Sequence, residues 1–159
     1  MNSKVTIGSE EWVSLGELNI PHIKARIDSG AKTSSLHALN IQPYQKDGHT
    51  WVSFDVYPIQ NDGKRRVKCN ALVKDKRVVK SSTGNREQRF VIQSFMTIGV
   101  NTWAIELTLT NRDSMGYRML LGREAMKGRL IVDSERSFSL GTISGATVLG
   151  CYEIFRYLA

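Results

Sequence analysis

Apolar and polar residues alternate with a period of two along most of this chain, the mark of strands that bury one face. Val52, Phe54 and Val56 alternate with Ser53 and Asp55, and Trp103, Ile105, Leu107 and Leu109 alternate with Ala104, Glu106 and Thr108. Val67, Cys69, Ala71 and Val73 repeat the pattern against Lys68, Asn70 and Leu72. Ile23, Ala25 and Ile27 would share one face of a further strand that stops at Asp28. Phe90-Val91-Ile92 and Leu130-Ile131-Val132 predict two short, fully apolar strands. Turn signals separate these segments: Lys46-Asp47-Gly48, Asn61-Asp62-Gly63, Ser82-Thr83-Gly84-Asn85 and Ile98-Gly99-Val100-Asn101. The Asp-Gly pairs at 47–48 and 62–63 predict hairpin turns. One short helix is expected, from Arg123 to Lys127, closed by Gly128. The fold class that follows is all-β, a barrel or a rolled pair of sheets.

Length and composition narrow the picture. The chain has 159 residues, 41% of them hydrophobic, which suits one domain with a real core. That domain is expected to fill residues 1–159, with its core at about 9–140 and a C-terminal extension at 141–159. The extension is apolar and aromatic, and either closes a sheet or packs on a partner. No apolar run approaches the roughly 20 residues needed to cross a bilayer. The N-terminus lacks the basic-then-apolar layout of a secretory signal, so no membrane partner and a cytoplasmic location are expected. Cys69 and Cys151 lie far apart with no C-x-x-C spacing, and read as free thiols. The net charge is +7, but its placement matters more. From Lys64 to Arg89 there are ten Lys or Arg against two acids, Asp75 and Glu87. A concentration of that strength makes an anionic partner plausible: nucleic acid, an acidic membrane or an acidic peptide.

Candidate chemistry begins at Asp28-Ser29-Gly30. An alternating strand that runs into an acid, a hydroxyl and a glycine fixes a carboxylate at the end of a rigid element. The tripeptide alone is an ordinary turn signal. A second segment adds to it: Tyr117 to Leu121 is an apolar strand, followed by Gly122 and by Arg123 at the start of the short helix.

Together the two segments resemble the retroviral type of aspartic peptidase. There an apolar strand ends in Asp-Thr/Ser-Gly-Ala, and two apolar residues followed by Gly-Arg and a short helix come much later. Ala25-Arg26-Ile27-Asp28-Ser29-Gly30-Ala31 and Leu120-Leu121-Gly122-Arg123 match those elements in that order. The wider wording resembles one bacterial, retropepsin-like family labelled ATP-dependent zinc proteases. It is carried by Glu11 to Leu15, Ala25 to Ala38, Arg77 to Gly84 and Leu109 to Arg112. Members of that family are associated with ATP-grasp ligases that add glutamate to protein C-termini. The resemblance implies a retropepsin-like acid-protease closed barrel with one short helix in its C-terminal half.

It also implies roles. Asp28 would be the catalytic acid, with Ser29 supporting its loop and Gly30 supplying the turn. Aspartic peptidase chemistry uses two carboxylates, and Asp133-Ser134-Glu135 lacks the glycine of a second motif. The enzyme reading therefore requires a homodimer with one Asp28 from each subunit. Ser82, Thr83 and Gly84 fall where a flap is expected to close over substrate, and with Lys32 and Arg123 they are the expected substrate contacts. Lys32 stands where viral enzymes carry an acid. Together with the basic segment it points to a peptide or acidic protein tail as substrate, such as a glutamate-rich one.

No cofactor or metal is expected. His22, His37 and His49 form neither H-E-x-x-H nor a compact ligand set, and no G-x-x-x-x-G-K-[ST] loop occurs. Any ATP would be used by a partner ligase. The alternative function is a non-catalytic binding module for acidic protein tails or for nucleic acid, the latter held by charge and by stacking on Trp51, Tyr57 and Trp103.

Overall fold

A computed structural model describes residues 3–60, 62–80, 83–111 and 116–158, the last six by backbone alone. The chain order is β1 (Val5–Ile7), β2 (Glu10–Leu15), β3 (Ile20–Ile27), β4 (Ser34–His37), β5 (Leu39–Lys46) and β6 (His49–Val56). It continues with β7 (Val67–Lys80), β8 (Arg86–Ile98), β9 (Asn101–Thr110), β10 (Met119–Leu121), α1 (Arg123–Met126), β11 (Leu130–Val132) and α2 (Gly145–Leu158).

Strand pairing runs β2-β3-β10-β4-β9-β8-β7-β6-β5, and β2 also pairs with β8, Val13 opposite Ile98. That extra pairing closes the first six strands into a barrel, which removes their free edges. β7, β6 and β5 continue the sheet outside it. The inward set is the alternating one: Val52, Phe54, Val56, Trp103, Ile105, Leu107 and Leu109 are all buried in one core cluster. The fold is therefore the closed, retropepsin-like barrel expected from the sequence, with α1 in its expected place.

The boundaries differ in instructive ways. Asp47 and Gly48 both sit at positive φ, 54° and 77°, in the tight turn between β5 and β6. Asp62-Gly63 instead lies within the long connection from Val56 to Val67, where the Asp62 carboxylate takes the Lys64 N–H at 2.7 Å. The hairpin itself forms, Val56 opposite Val67, but through a long loop holding a local Asx turn in place of the expected tight one. Phe90-Val91-Ile92 is only the middle of a 13-residue strand, and β7 is 14 residues long. At the Arg86 end the extra length is a polar hairpin arm that no hydrophobic pattern announces, and at the other end Met96 and Ile98 carry the strand through the barrel core. The extension is helical from Gly145 to Leu158, and Val148 and Tyr152 of α2 are buried. The Tyr152 hydroxyl hydrogen-bonds the His22 carbonyl of β3 and accepts the His22 N–H at 3.3 Å. No described helix is long and apolar enough to cross a membrane.

Candidate active site

The site stands where β10 is inserted between β3 and β4. It runs parallel to β3, Leu121 opposite Ile27, and antiparallel to β4, Met119 opposite Leu36. The chain leaves β3 at Asp28, makes a loop and returns as β4, with β10 passing beneath. Three backbone N–H groups hold the crossing together. The Asp28 N–H donates to the Leu121 carbonyl at 2.9 Å, and the Arg123 N–H donates to the Ala31 carbonyl at 2.8 Å. Gly122 N–H donates to the Ser34 hydroxyl at 3.0 Å.

Gly122 makes this crossing possible. A Cβ there would lie 2.8 Å from the Thr33 carbonyl carbon, 2.9 Å from the Ala31 oxygen and 3.0 Å from the Ser34 nitrogen. Backbone cannot yield at such distances, so only glycine fits. Gly30 sits in the turn expected of it, which the Ala31 N–H closes on the Asp28 carbonyl at 3.2 Å, at a φ outside the left-handed region. Its N–H donates to Asp28 Oδ1 at 3.0 Å, and a Cβ would stand 3.2 Å from that same oxygen. The glycine therefore gives the carboxylate close access to a backbone donor.

Asp28 is half-buried, and Ser29, Gly30 and Lys32 are exposed. Arg123 spends one Nη1 donor on the Gly30 carbonyl at 3.1 Å, bracing the loop from the start of α1. The same arginine borders an open groove of about 450 Å³ that begins at Ser29 and has Met126, Leu130 and Val132 on its apolar side. Thr83 and Gly84 lie away from this loop in sequence, at the tip of the β7–β8 hairpin, where Gly84 adopts φ 88°. Ser82 falls outside the described residues.

Other sequence candidates have settled places. His37 is buried, its Nε2 3.2 Å from the Asn111 carbonyl and its Nδ1 3.4 Å from Arg118 Nη1. Among the described residues, no group of three or more His, Cys, Asp or Glu is arranged to hold a metal ion. Cys69 and Cys151 are free thiols. Trp103 is 8% exposed and its indole N–H donates to the Ala125 carbonyl at 2.9 Å, so it serves the core and cannot offer a stacking face.

Sequence reasoning missed Glu11. Its carboxylate is fully buried, taking the Gly8 N–H at 2.7 Å, the Ser139 N–H at 2.9 Å and the Leu140 N–H at 3.2 Å. A signal was present, since Glu11 shares the inward parity of Val13 and Leu15. An acid at a core position of an alternating strand calls for buried donors.

Comparison with known proteins bears on this geometry. A protein-family model described as "RimB-like: Retropepsin-like aspartic endopeptidase RimB" matches residues 6–141. The chain is 56% identical over 140 residues to a "Probable alpha-L-glutamate ligase" of Shewanella pealeana, covering 88% of this chain and 31% of that protein. A protein of the same name from Desulfotalea psychrophila is 57% identical over 142 residues, covering 89% of this chain and 31% of the relative. The chain thus spans about a third of the length of the curated relatives it matches. Among solved structures, Lpg0085 of Legionella pneumophila, described as of unknown function, superposes with a TM-score of 0.73 at 28% identity. That match covers 87% of this chain and all of the other.

Proposed function

The chain belongs to the RimB-like, retropepsin-like family, and from that premise we propose that it is an aspartic-type endopeptidase acting as a homodimer. One observation carries the reading. The Asp28 carboxylate is pinned by the Gly30 N–H at an open surface, on a strand crossing that admits only glycine at 122. Each chain supplies one such acid, and the chemistry needs two.

Two carboxylates about 3 Å apart hold a single proton between them, because both cannot readily ionise. The ionised Asp28 takes a proton from water as the water oxygen attacks the amide carbon. The protonated Asp28 of the second subunit donates a hydrogen bond, then its proton, to the carbonyl oxygen. As the tetrahedral intermediate collapses, the C–N bond breaks and a proton passes to the leaving amine. Support for pairing comes from β11, where Val132, 38% exposed, lines the groove that reaches Ser29 and its neighbour Ile131 is 51% exposed. Cover by a second copy would bury these residues and bring its Asp28 near.

The substrate is proposed to be a protein with an acidic, glutamate-rich tail. The net excess of Lys64–Arg89 and the exposed Lys32 beside the acid favour carboxylate-rich chains. The ligase name of the longer relatives supports a functional link with an ATP-grasp glutamate ligase, in which this domain removes what a ligase adds. The same partial coverage favours one second reading, a module that holds the tail for a ligase without cutting it.

Incubation with a poly-glutamate-tailed protein, followed by mass spectrometry, separates the two. Shortening by the wild type and none by Asp28→Asn is expected, with both proteins dimeric in sedimentation. Equal behaviour of the two proteins, or a monomer at assay concentration, sinks the peptidase reading.

A further inference from the structure

The β7–β8 hairpin sorts its charges by face. In antiparallel pairs, residues directly opposite one another share a face, and faces alternate along each strand. On β8 the even-numbered residues Ile98, Met96, Ser94 and Ile92 point into the barrel and are buried. Phe90 continues that face, packed against the core, and Gln88 and Arg86 carry it out beyond the barrel. On β7 the barrel-facing parity is odd up to Val73. A bulge between Val73 and Asp75 then switches it, and Lys76, Val78 and Lys80 stand opposite Phe90, Gln88 and Arg86.

The two faces are unlike. On the outer face, Arg77 pairs with Asp75 at 2.9 Å and with Glu106 at 3.0 Å, and Arg89 pairs with Glu87 at 3.3 Å. Those cations are neutralised within the fold. The barrel-side face carries Lys76, Lys80 and Arg86, all exposed, with no acid among its described residues. Val78 between them is 63% exposed, and the Lys76 ammonium lies 5.1 Å from the Phe90 ring centre. The hairpin is also tied to the site: Arg89 Nη1 reaches the Thr108 hydroxyl, which donates to the Ser34 carbonyl, and the Ser34 hydroxyl takes the Gly122 N–H.

We propose that this barrel-side face is the specificity surface for acidic chains, with Lys76, Lys80 and Arg86 pairing with carboxylates of the bound peptide and Val78 contacting its stem. Arg77 and Arg89, equally basic in sequence, serve only to hold the hairpin. The assignment deepens the peptidase reading and rests on it for the cleavage arm of its test. An acidic peptide is favoured over nucleic acid because the face offers three separated cations and a single partly covered ring, without a row of exposed aromatics.

The test uses the full chain carrying Asp28→Asn, so that binding is read without turnover, and a fluorescent oligo-glutamate peptide as probe. Combining Lys76→Glu, Lys80→Glu and Arg86→Glu should weaken binding by about 30-fold, given three surface pairs lost. Lys68→Glu, on the outer face of β7, should leave it unchanged. In the active protein the triple variant should raise KM for an acidic peptide with kcat retained and leave a neutral peptide unaffected. Urea midpoints monitor folding of each variant. No binding by the parent, or equal binding by the triple variant, overturns the assignment. So does a single-stranded oligonucleotide that displaces the peptide and loses affinity in the same variant. Binding that follows the prediction without any cleavage removes the peptidase reading and leaves this surface standing.

Discussion

Single residues decide the site through atoms they lack or donors they gather. At Gly122 the missing Cβ lets β10 pass under the Asp28 loop, so Gly122→Ala must push apart backbone that now lies within 3.0 Å. That overpacking should cost about 1–3 kcal/mol in urea unfolding, and abolish cleavage even where the protein still folds. A variant with full stability and full activity would show that the crossing is looser than it stands here. Glu11 holds three N–H groups from two distant segments, 8 and 139–140. Glu11→Gln turns one accepting oxygen into a donor facing an N–H, and should lower stability by about 1–3 kcal/mol. The same denaturant titration checks it. Asp28-Ser29-Gly30 and Gly122-Arg123 were both legible as a site in the sequence, because a backbone crossing of this kind demands glycine at a set place. The donor set of Glu11 was not, because two of its three donors come from 128 and 129 residues away.

Elements show how far a hydrophobic pattern can reach. β8 reads as three apolar residues in sequence and is a 13-residue strand: at its Arg86–Arg89 end, outside the barrel, nothing enforces alternation, and inside the barrel Ser94 interrupts the buried row of Ile92, Met96 and Ile98. The Lys64–Arg89 excess was visible as composition, but the bulge at Val73/Asp75 decides which cations share a face. α2 was open between a closing strand and a partner-binding segment. Burial of Val148 and Tyr152 makes it a helical brace on β3. Tyr152→Phe removes the bond to the His22 carbonyl and the acceptor for its N–H, and should cost about 1–2 kcal/mol with the barrel intact. Hydrogen exchange should then rise in α2 ahead of β8 and β9. Beneath α2, burial pushes the Cys69 thiol up to about 12, with Asp55 nearby adding to it, and burial likewise raises the Tyr152 phenol. Both groups ionise more readily in the unfolded chain: the Cys69 contribution is complete below about pH 9 and is lost as pH rises from about 9 to about 12, while that of Tyr152 starts to fall only above about pH 10. Urea midpoints should fall across that window, and less steeply in Cys69→Ala.

At the scale of the whole molecule, the barrel closes through β2–β8 within one chain, whereas the proposed pair of carboxylates would be completed only by a second chain. A shared site makes activity concentration-dependent and sensitive to mixing. Wild-type protein re-equilibrated with a tenfold excess of Asp28→Asn should lose most of its activity, because nearly every wild-type subunit then sits in a mixed dimer with one working acid. Retention of activity in proportion to wild-type content would place the whole site within one chain. The sequence by itself determined the all-β class, the inward faces of β3, β6 and β9, the acid and the two glycines. All of these follow from local periodicity and from backbone sterics, which neighbours in the chain can express. Only the tertiary structure decided that β10 threads between β3 and β4, that Glu11 clamps the two ends of the domain, and that one face of a basic hairpin carries no acid among its described residues. Those depend on contacts between residues far apart in sequence, where register and closure, not local pattern, set which groups meet.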